Sequence, residues 1–447
     1  MTSGTAPAQH STPTIPSNRL HGEIDRLADE VEPEVIAHRR WLHERPELSN
    51  REFETARFVA GKLAALGYEV RTGIAKTGVV AVLRGGLPGP VVALRSDMDA
   101  LPVAEEVDLP FKSTVRTQFD GQDVGVMHAC GHDAHMGILL GVARIFAQLK
   151  ESLPGTLKLI FQPAEEGPPR GEKGGAKLMI EEGVLSSEPK PEAIFGLHVL
   201  TMLESGQLGY RAGPTMASAD DFTIVVHGCG CHGAMPSAGI DPIVTAAQVV
   251  LGLQTITSRQ MDLTRAPTVV TVGRIDGGTR NNIIPDTTTL KGTLRALDEE
   301  MRSDLHTRVA RTAQGIAASA GATASVDIGS ETTYPVTVNH PQLTERMLPT
   351  LRRVAGDGLL HVPPVMGAED FSYYGQKIPA LFVFVGVRKP GATMKEYAPN
   401  HSPRFRIDEA GLKLGVRTLA HLAIDYLSIR RETCSPDEAQ RNPGGGR

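Results

Sequence analysis

No apolar run in the 447-residue chain reaches the roughly 18 residues a bilayer-spanning helix needs, so no membrane span is expected. Nor is there a block of basic charge: 46 Lys and Arg stand against 51 Asp and Glu, a net charge of −5. That balance excludes nucleic acid as the expected partner. Cysteine is scarce, and Cys130, Cys229, Cys231 and Cys434 do not have the spacing of a disulfide framework. A cytoplasmic, reducing location is therefore expected. The opening stretch MTSGTAPAQHSTPTIPSN lacks the apolar core of a signal peptide and is rich in Ser, Thr and Pro. Residues 1–20 are predicted to be a disordered tail, as are residues 431–447 with their PGGGR ending. What remains is of ordinary globular composition and too long for one compact core, so two domains are expected.

The densest chemistry lies in MHACGHDAH (127–135), which sets Cys130, His132, Asp133 and His135 within six residues. The apolar run behind it, MGILLGVARIFAQL, keeps a helical period and predicts a loop entering a helix N-terminus. Thiolate, imidazole and carboxylate groups on one loop suit a Zn²⁺-like or Mn²⁺-like ion. A helix start that happens to carry histidines would have the same local pattern. The choice depends on what other segments bring.

Helices are predicted from about His21 to Pro46 and from Glu52 to Leu66, and short strands at Val79–Leu83 and Val91–Leu94. The second strand runs into RSDMDALP, with Asp97 and Asp99 just past its end. Strand 156–163 leads directly into Ala164-Glu165-Glu166, and strand 193–199 carries His198 near its end. Singly, Glu165-Glu166 reads as a solvated pair and His198 as a core histidine. Jointly, successive strands of an α/β pattern deliver metal-type side chains to their carboxyl ends, the edge at which open α/β sheets bind ligands.

From about Ala219 to Ile328 the rhythm changes to strand, helix, strand, strand, helix, strand, a ferredoxin-like unit. An α/β pattern then resumes, with a helix near 341–355, GAEDFSYYG (367–375), a strand at 379–387, His401 in the loop after it, and a helix from about Asp408 to Ile429. The predicted architecture is α/β, with a catalytic domain in two parts (21–216 and 331–430) around an inserted lid (217–330).

With these residues assembled, the chain resembles the two-metal aminoacylase/carboxypeptidase family, in particular its hippurate hydrolase and indole-acetyl-amino acid hydrolase branch. The resemblance rests on WLHERPELSNREFET, LRSDMDALP, MHACGHDAHMG, FQPAEEG, GLHV, HGAMPSAGIDPI, GGTRNNIIPDTTTLKGTLR, GAEDFSYY and PNHSPRF, in that order from about residue 38 to 430. It implies two divalent ions (Zn²⁺, Mn²⁺, Co²⁺ or Ni²⁺) on Cys130, His132, Glu166, His198 and His401. It further implies Glu165 as general base and Asp99 as a support behind the ligands. Asp133, His135 and Glu369 lie in matching motifs without an implied ligand role. In the lid it implies His232 as a donor to the reacting oxygen, and Asn282 and Arg295 as holders of a substrate carboxylate. A surface strand residue is the lesser alternative for Arg295. Cys229 and Cys231, in VHGCGCHG, depart from the expected pattern. They read as small side chains on a strand edge or as a redox or stray metal pair.

The implied activity is metal-dependent hydrolysis of an N-acyl-amino acid to a carboxylic acid and a free amino acid. The alternatives are a dipeptidase or carboxypeptidase on the same scaffold, or a metal-binding protein without turnover. A homodimer or higher homo-oligomer paired through the lid is expected, with His232 acting either in its own chain or in its partner.

Overall fold

The computed structural model describes residues 17–428. The expected tails, Ile429 and Cys434 thus lie outside the described residues, except that residues 17–20 open the first helix. Leu20 is the reason, because it joins Ile24 and Leu27 of the same helix in the main apolar core.

Helix α1 (Ser17–Glu44) buries Ile24, Leu27, Val31 and Val35, one face at helical spacing, and α2 (Phe53–Ala65) follows it. Strands β1 (Glu69–Ile74), β2 (Gly78–Arg84) and β3 (Leu87–Asp97) come next. β1 is mostly exposed and has no apolar run, which is why the sequence pattern did not reveal it. A hairpin of β4 (Arg116–Phe119) and β5 (Gln122–Gly125), equally polar, precedes α3 (His132–Gln148). Then come β6 (Pro154–Gln162), α4 (Gly175–Glu181), β7 (Ala193–Glu204) and the short β8 (Leu208–Tyr210) and β9 (Gly213–Met216).

The lid comprises β10 (Ala219–His227), β11 (Cys231–His232), α5 (Pro242–Thr255), β12 (Thr268–Gly277), β13 (Ile283–Ile284), β14 (Thr287–Ala296), α6 (Glu299–Ser319) and β15 (Thr323–Tyr334). The chain closes with β16 (Thr337–Asn339), α7 (Pro341–Ala355), β17 (Leu359–His361), α8 (Ser372–Gly375), β18 (Ala380–Arg388) and α9 (Leu412–Leu427).

The main sheet runs β1-β2-β6-β3-β7-β18-β8-β17, and its centre, β6 to β18, is parallel. Helices α1, α3 and α9 cover one face, while α4 and α8 help to cover the other. Burial on both faces explains the unbroken apolar run of β18. The lid sheet, β12-β14-β10-β15, is antiparallel throughout and carries α5 and α6 over a separate apolar core, the ferredoxin-like arrangement the sequence predicts. Asp241 caps α5, accepting from the Ile243 N–H at 2.8 Å, and Asp298 caps α6, accepting from the Met301 N–H at 2.9 Å.

One detail of the sheet creates the site. β7 pairs with β3 only through Ala193–Gly196, then continues along β18 as far as Glu204. His198 is therefore mid-strand rather than at a strand end. It sits just past the point where β3 parts from β7, and the parting opens the crevice.

Candidate metal centre

Four segments converge on this crevice. Cys130 Sγ lies 3.3 Å from His198 Nε2 and 3.3 Å from His401 Nε2. Glu166 Oε1 is 3.2 Å from His401 Nε2 and 3.9 Å from His132 Nε2, while Glu165 Oε2 is 3.8 Å from the same His132 nitrogen. Cys130, His132 and His198 form one compact ligand group, Cys130, Glu166 and His401 another, and His132, Glu165 and Glu166 a third. Groups sharing Cys130, His132 and Glu166 are what two neighbouring cations would need.

The hydrogen bonds behind these atoms fix which nitrogen faces the crevice. His132 Nδ1 donates to the Asp99 carbonyl at 2.8 Å, and His198 Nδ1 to the Val199 carbonyl at 2.8 Å. Each therefore turns an Nε2 lone pair inward, the usual arrangement behind a ligating imidazole. His135 differs, because both its nitrogens are used. Nδ1 donates to Asp97 Oδ1 at 2.6 Å and Nε2 accepts from the Val199 N–H at 2.9 Å. Asp133 is engaged through Oδ2, paired with Arg39 at 2.7 Å and His43 at 2.8 Å, and although its Oδ1 is unpartnered it lies in none of the candidate ligand groups.

Whether the residues fit a cation can be judged from what lacks a partner. His132 Nε2 and Glu166 Oε1 are buried without a hydrogen bond, which is costly unless something binds them. The charge balance points the same way. Burial opposes a charge on His132, yet Asp97 and Asp99 lift it to about 10, so the surrounding carboxylates favour positive charge at this position. Burial raises the Cys130 thiol well above its ordinary value, with Glu166 and Glu165 adding to the shift. A cation would displace both protons. The donor set fits.

Asp99 organises Glu165 and Glu166 together. Its Oδ1 accepts from the Glu165 N–H and its Oδ2 from the Glu166 N–H, both at 3.0 Å, while Ser49 Oγ donates to Oδ2 at 2.7 Å. Glu52, fully buried, accepts from the Ala164 N–H at 2.9 Å, and Tyr334 at the end of the lid's last strand donates to the Glu165 carbonyl at 2.7 Å. These bonds hold a turn in which Ala164 has φ +53°, an unfavourable value for a residue with a Cβ. His401 shares that feature at φ +70°, with its N–H bonded to the Ala129 carbonyl at 2.8 Å.

Burial pushes the Glu165 carboxyl well above the usual carboxylate range, and Glu369, Glu166 and Asp370 push it further. Beneath it Arg95, fully buried, bonds Asp97 at 2.7 Å, Glu369 at 2.9 Å and Asp370 at 3.0 Å. Glu52 and Arg95 were not singled out in the sequence, and Asp97 was read only as a strand-end carboxylate beside Asp99. Asp97 had a readable signal, since residues two apart on an extended chain face the same way as Asp99 does. Glu52 had none.

Gly131 sets the angle between Cys130 and His132. Its φ is +97°, and an added Cβ would lie 2.4 Å from Val199 Cγ2. Gly131→Ala is expected to cost about 1–3 kcal/mol and to loosen metal retention. Thermal unfolding with metal analysis tests this; a variant that melts with the wild type would contradict it.

The lid residues lie elsewhere, and only His232 and Asn282 are brought together. His232 and Asn282 border an open hollow whose lining lies entirely within residues 230–287. His232 Nδ1 accepts from the Ala234 N–H at 3.0 Å, leaving Nε2 to donate. Arg295 is half-buried on β14, on the sheet face away from the lid core. Cys229 is exposed and Cys231 partly so, and both are free thiols.

This fold and site define a metal-dependent hydrolase. The chain belongs to peptidase family M20/M25/M40, whose pattern matches residues 93–425. It is 44% identical to thermostable carboxypeptidase 2 of Saccharolobus solfataricus, over 89% of this chain and 96% of that one. It is 39% identical to IAA-amino acid hydrolase ILR1-like 2 of Arabidopsis thaliana, over 88% and 85% respectively. The solved structure of the Bacillus subtilis YXEP protein, described as a dinuclear metal binding peptidase of the M20 family, is 35% identical. It superposes with a TM-score of 0.74 over 89% of this chain and 99% of that one.

Proposed function

We propose that this protein hydrolyses the amide bond of N-acyl-amino acids, with two divalent cations held by Cys130, His132, Glu166, His198 and His401. The observation that carries this reading is Glu165, a buried carboxylate beside the ligand groups whose backbone is pinned from two sides by Asp99 and Tyr334. When bound, the cations supply Lewis acidity, polarising an amide carbonyl and lowering the pKa of water. Glu165 Oε2 accepts the proton of the attacking water and passes it to the departing amine nitrogen. Asp99 keeps Glu165 and Glu166 in separate roles by holding successive N–H groups of the turn. His232 Nε2 donates to the developing oxyanion. Asn282 and Arg295 hold the substrate carboxylate, for which a guanidinium fork is suited.

The carboxypeptidase name of one relative supports a second reading, cleavage of a peptide with a free carboxylate. Assay of metal-loaded protein against N-acyl-amino acids and dipeptides, alongside metal analysis, separates the two. Faster turnover of dipeptides would favour the second, and full metal content with no turnover at all would refute both.

We further infer two catalytic parts, 21–216 and 331–430, around a lid of 217–330, and a homodimer paired through that lid. β12 is an edge strand with Ile275 55% exposed, and α5 presents Val244 at 56% and Leu251 at 71%, an apolar surface a partner copy would cover. No helix among the described residues is long and apolar enough to cross a membrane. The free thiols at 130, 229 and 231 support a cytoplasmic location.

If Cys130 is a ligand, thiol reagents should label it when the metal is stripped and spare it when the metal is bound. Site mapping by mass spectrometry is needed because Cys229 and Cys231 label in either form. Equal labelling of Cys130 in both would argue against ligation.

A further inference from the structure

The hairpin β4–β5 borders a cavity of about 500 Å³ that opens beside Glu166 and Gly167. Its floor is a small apolar cluster, Leu48, Ala100 and Val126 with Val115 packed against them, distinct from the main core. Phe119, at the end of β4, forms part of the wall and is 37% exposed. The hairpin is tight, because Asp120 and Gly121 at its turn have φ values of +48° and +76°. Paired positive φ values twist a two-residue turn to match the strands.

The cations on the rim are already engaged, while the Glu166 and Asp120 carboxylates that also border the cavity add only negative charge. Arg51 donates to Glu172 at 2.5 Å, Arg116 donates to Asp123 at 2.7 Å, and Glu47 accepts from the Thr55 N–H at 2.8 Å. A substrate carboxylate would find no uncommitted cation there. An α-ammonium, two bonds from the carbonyl carbon, would lose hydration if buried against Leu48, Ala100 and Val126. An uncharged apolar group loses nothing by entering. Pockets of about 300–1,000 Å³ accommodate drug-sized ligands, so an acetyl group would leave most of this one to water. Each additional methylene buried there is worth about 4-fold in binding.

We propose that this cavity is the acyl subsite. It takes a neutral, bulky apolar acyl group, aryl or branched, and Val115 and Phe119 set its size. The proposal rests on the amidohydrolase reading above and assigns the cavity to the acyl half of the substrate, leaving the amino acid half to the lid.

The test uses metal-loaded, full-length protein and the N-acetyl, N-hexanoyl and N-benzoyl derivatives of one amino acid. The benzoyl or hexanoyl compound should exceed the acetyl one in kcat/KM by about 10-fold or more. Val115→Phe, which fills the cavity, should lower the benzoyl-to-acetyl ratio by about 10-fold. Phe119→Ala, on the exposed hairpin, should raise KM for the benzoyl compound more than for the acetyl one, and it decides the matter should Val115→Phe fail to fold. Equal efficiency on acetyl and benzoyl substrates, or an equal fall on both in the variants, would overturn the acyl subsite and leave the amidohydrolase reading standing. Turnover of dipeptides with none of any N-acyl-amino acid would overturn both.

Discussion

Glu165→Gln is expected to lower kcat by about 10²–10⁴-fold, the range for loss of a general acid–base group, with metal content and fold retained. The turn around Glu165 is held by its backbone, through Asp99 and Tyr334, and an amide of the same shape leaves those bonds in place. Its carboxyl clusters with Glu369 and Asp370, so an uncharged amide adds no like charge to the group. The variant should therefore melt no earlier than the wild type. Metal content, melting and turnover belong in one experiment. Activity near wild type would refute the role of Glu165, and loss of metal would mean that Glu165 and Glu166 had been assigned the wrong way round.

The second large effect is a restoration. Glu165→Gln and His232→Ala should each be nearly inactive alone, yet co-expressed they should recover about a quarter of normal activity under random pairing of a dimer. That follows if His232 reaches the partner's crevice, since half the dimers are mixed and each mixed dimer has one intact site. The lid hollow holding His232 has none of the ligand residues in its lining, which is why its own chain is the less favoured destination. Activity that stays near zero on co-expression would place His232 in its own site. So would a fully active monomer by light scattering.

The ligand segments were legible in the sequence because each is a short motif at the end of an apolar run. Cys130 precedes α3 and His132 opens it, Glu165-Glu166 follow β6, and His401 follows β18. The lid was legible from its order of elements alone. What escaped was whatever lacks a local pattern. Glu52 lies 112 residues from the turn it supports, and nothing around it marks it as buried. β1 and the hairpin β4–β5 are polar and exposed, so no periodicity announces them. The extent of β7 beyond His198 is set by its pairing with β18, almost two hundred residues later, and no local rule contains it.

That late pairing bears on how the protein is made. β18 lies between β7 and β8 in the sheet, so until residue 388 has been synthesised β7 is a bare apolar edge. A nascent chain that has emerged through the lid already carries Cys130, His132, Glu166 and His198, but its central sheet is open on one side. Such edges recruit other strands and aggregate. Translational pausing or truncation between residues 204 and 380 is thus the most hazardous interval for this chain. The strand that ends the hazard is also the one that leads to His401, so the sheet closes before the last of the proposed ligands arrives.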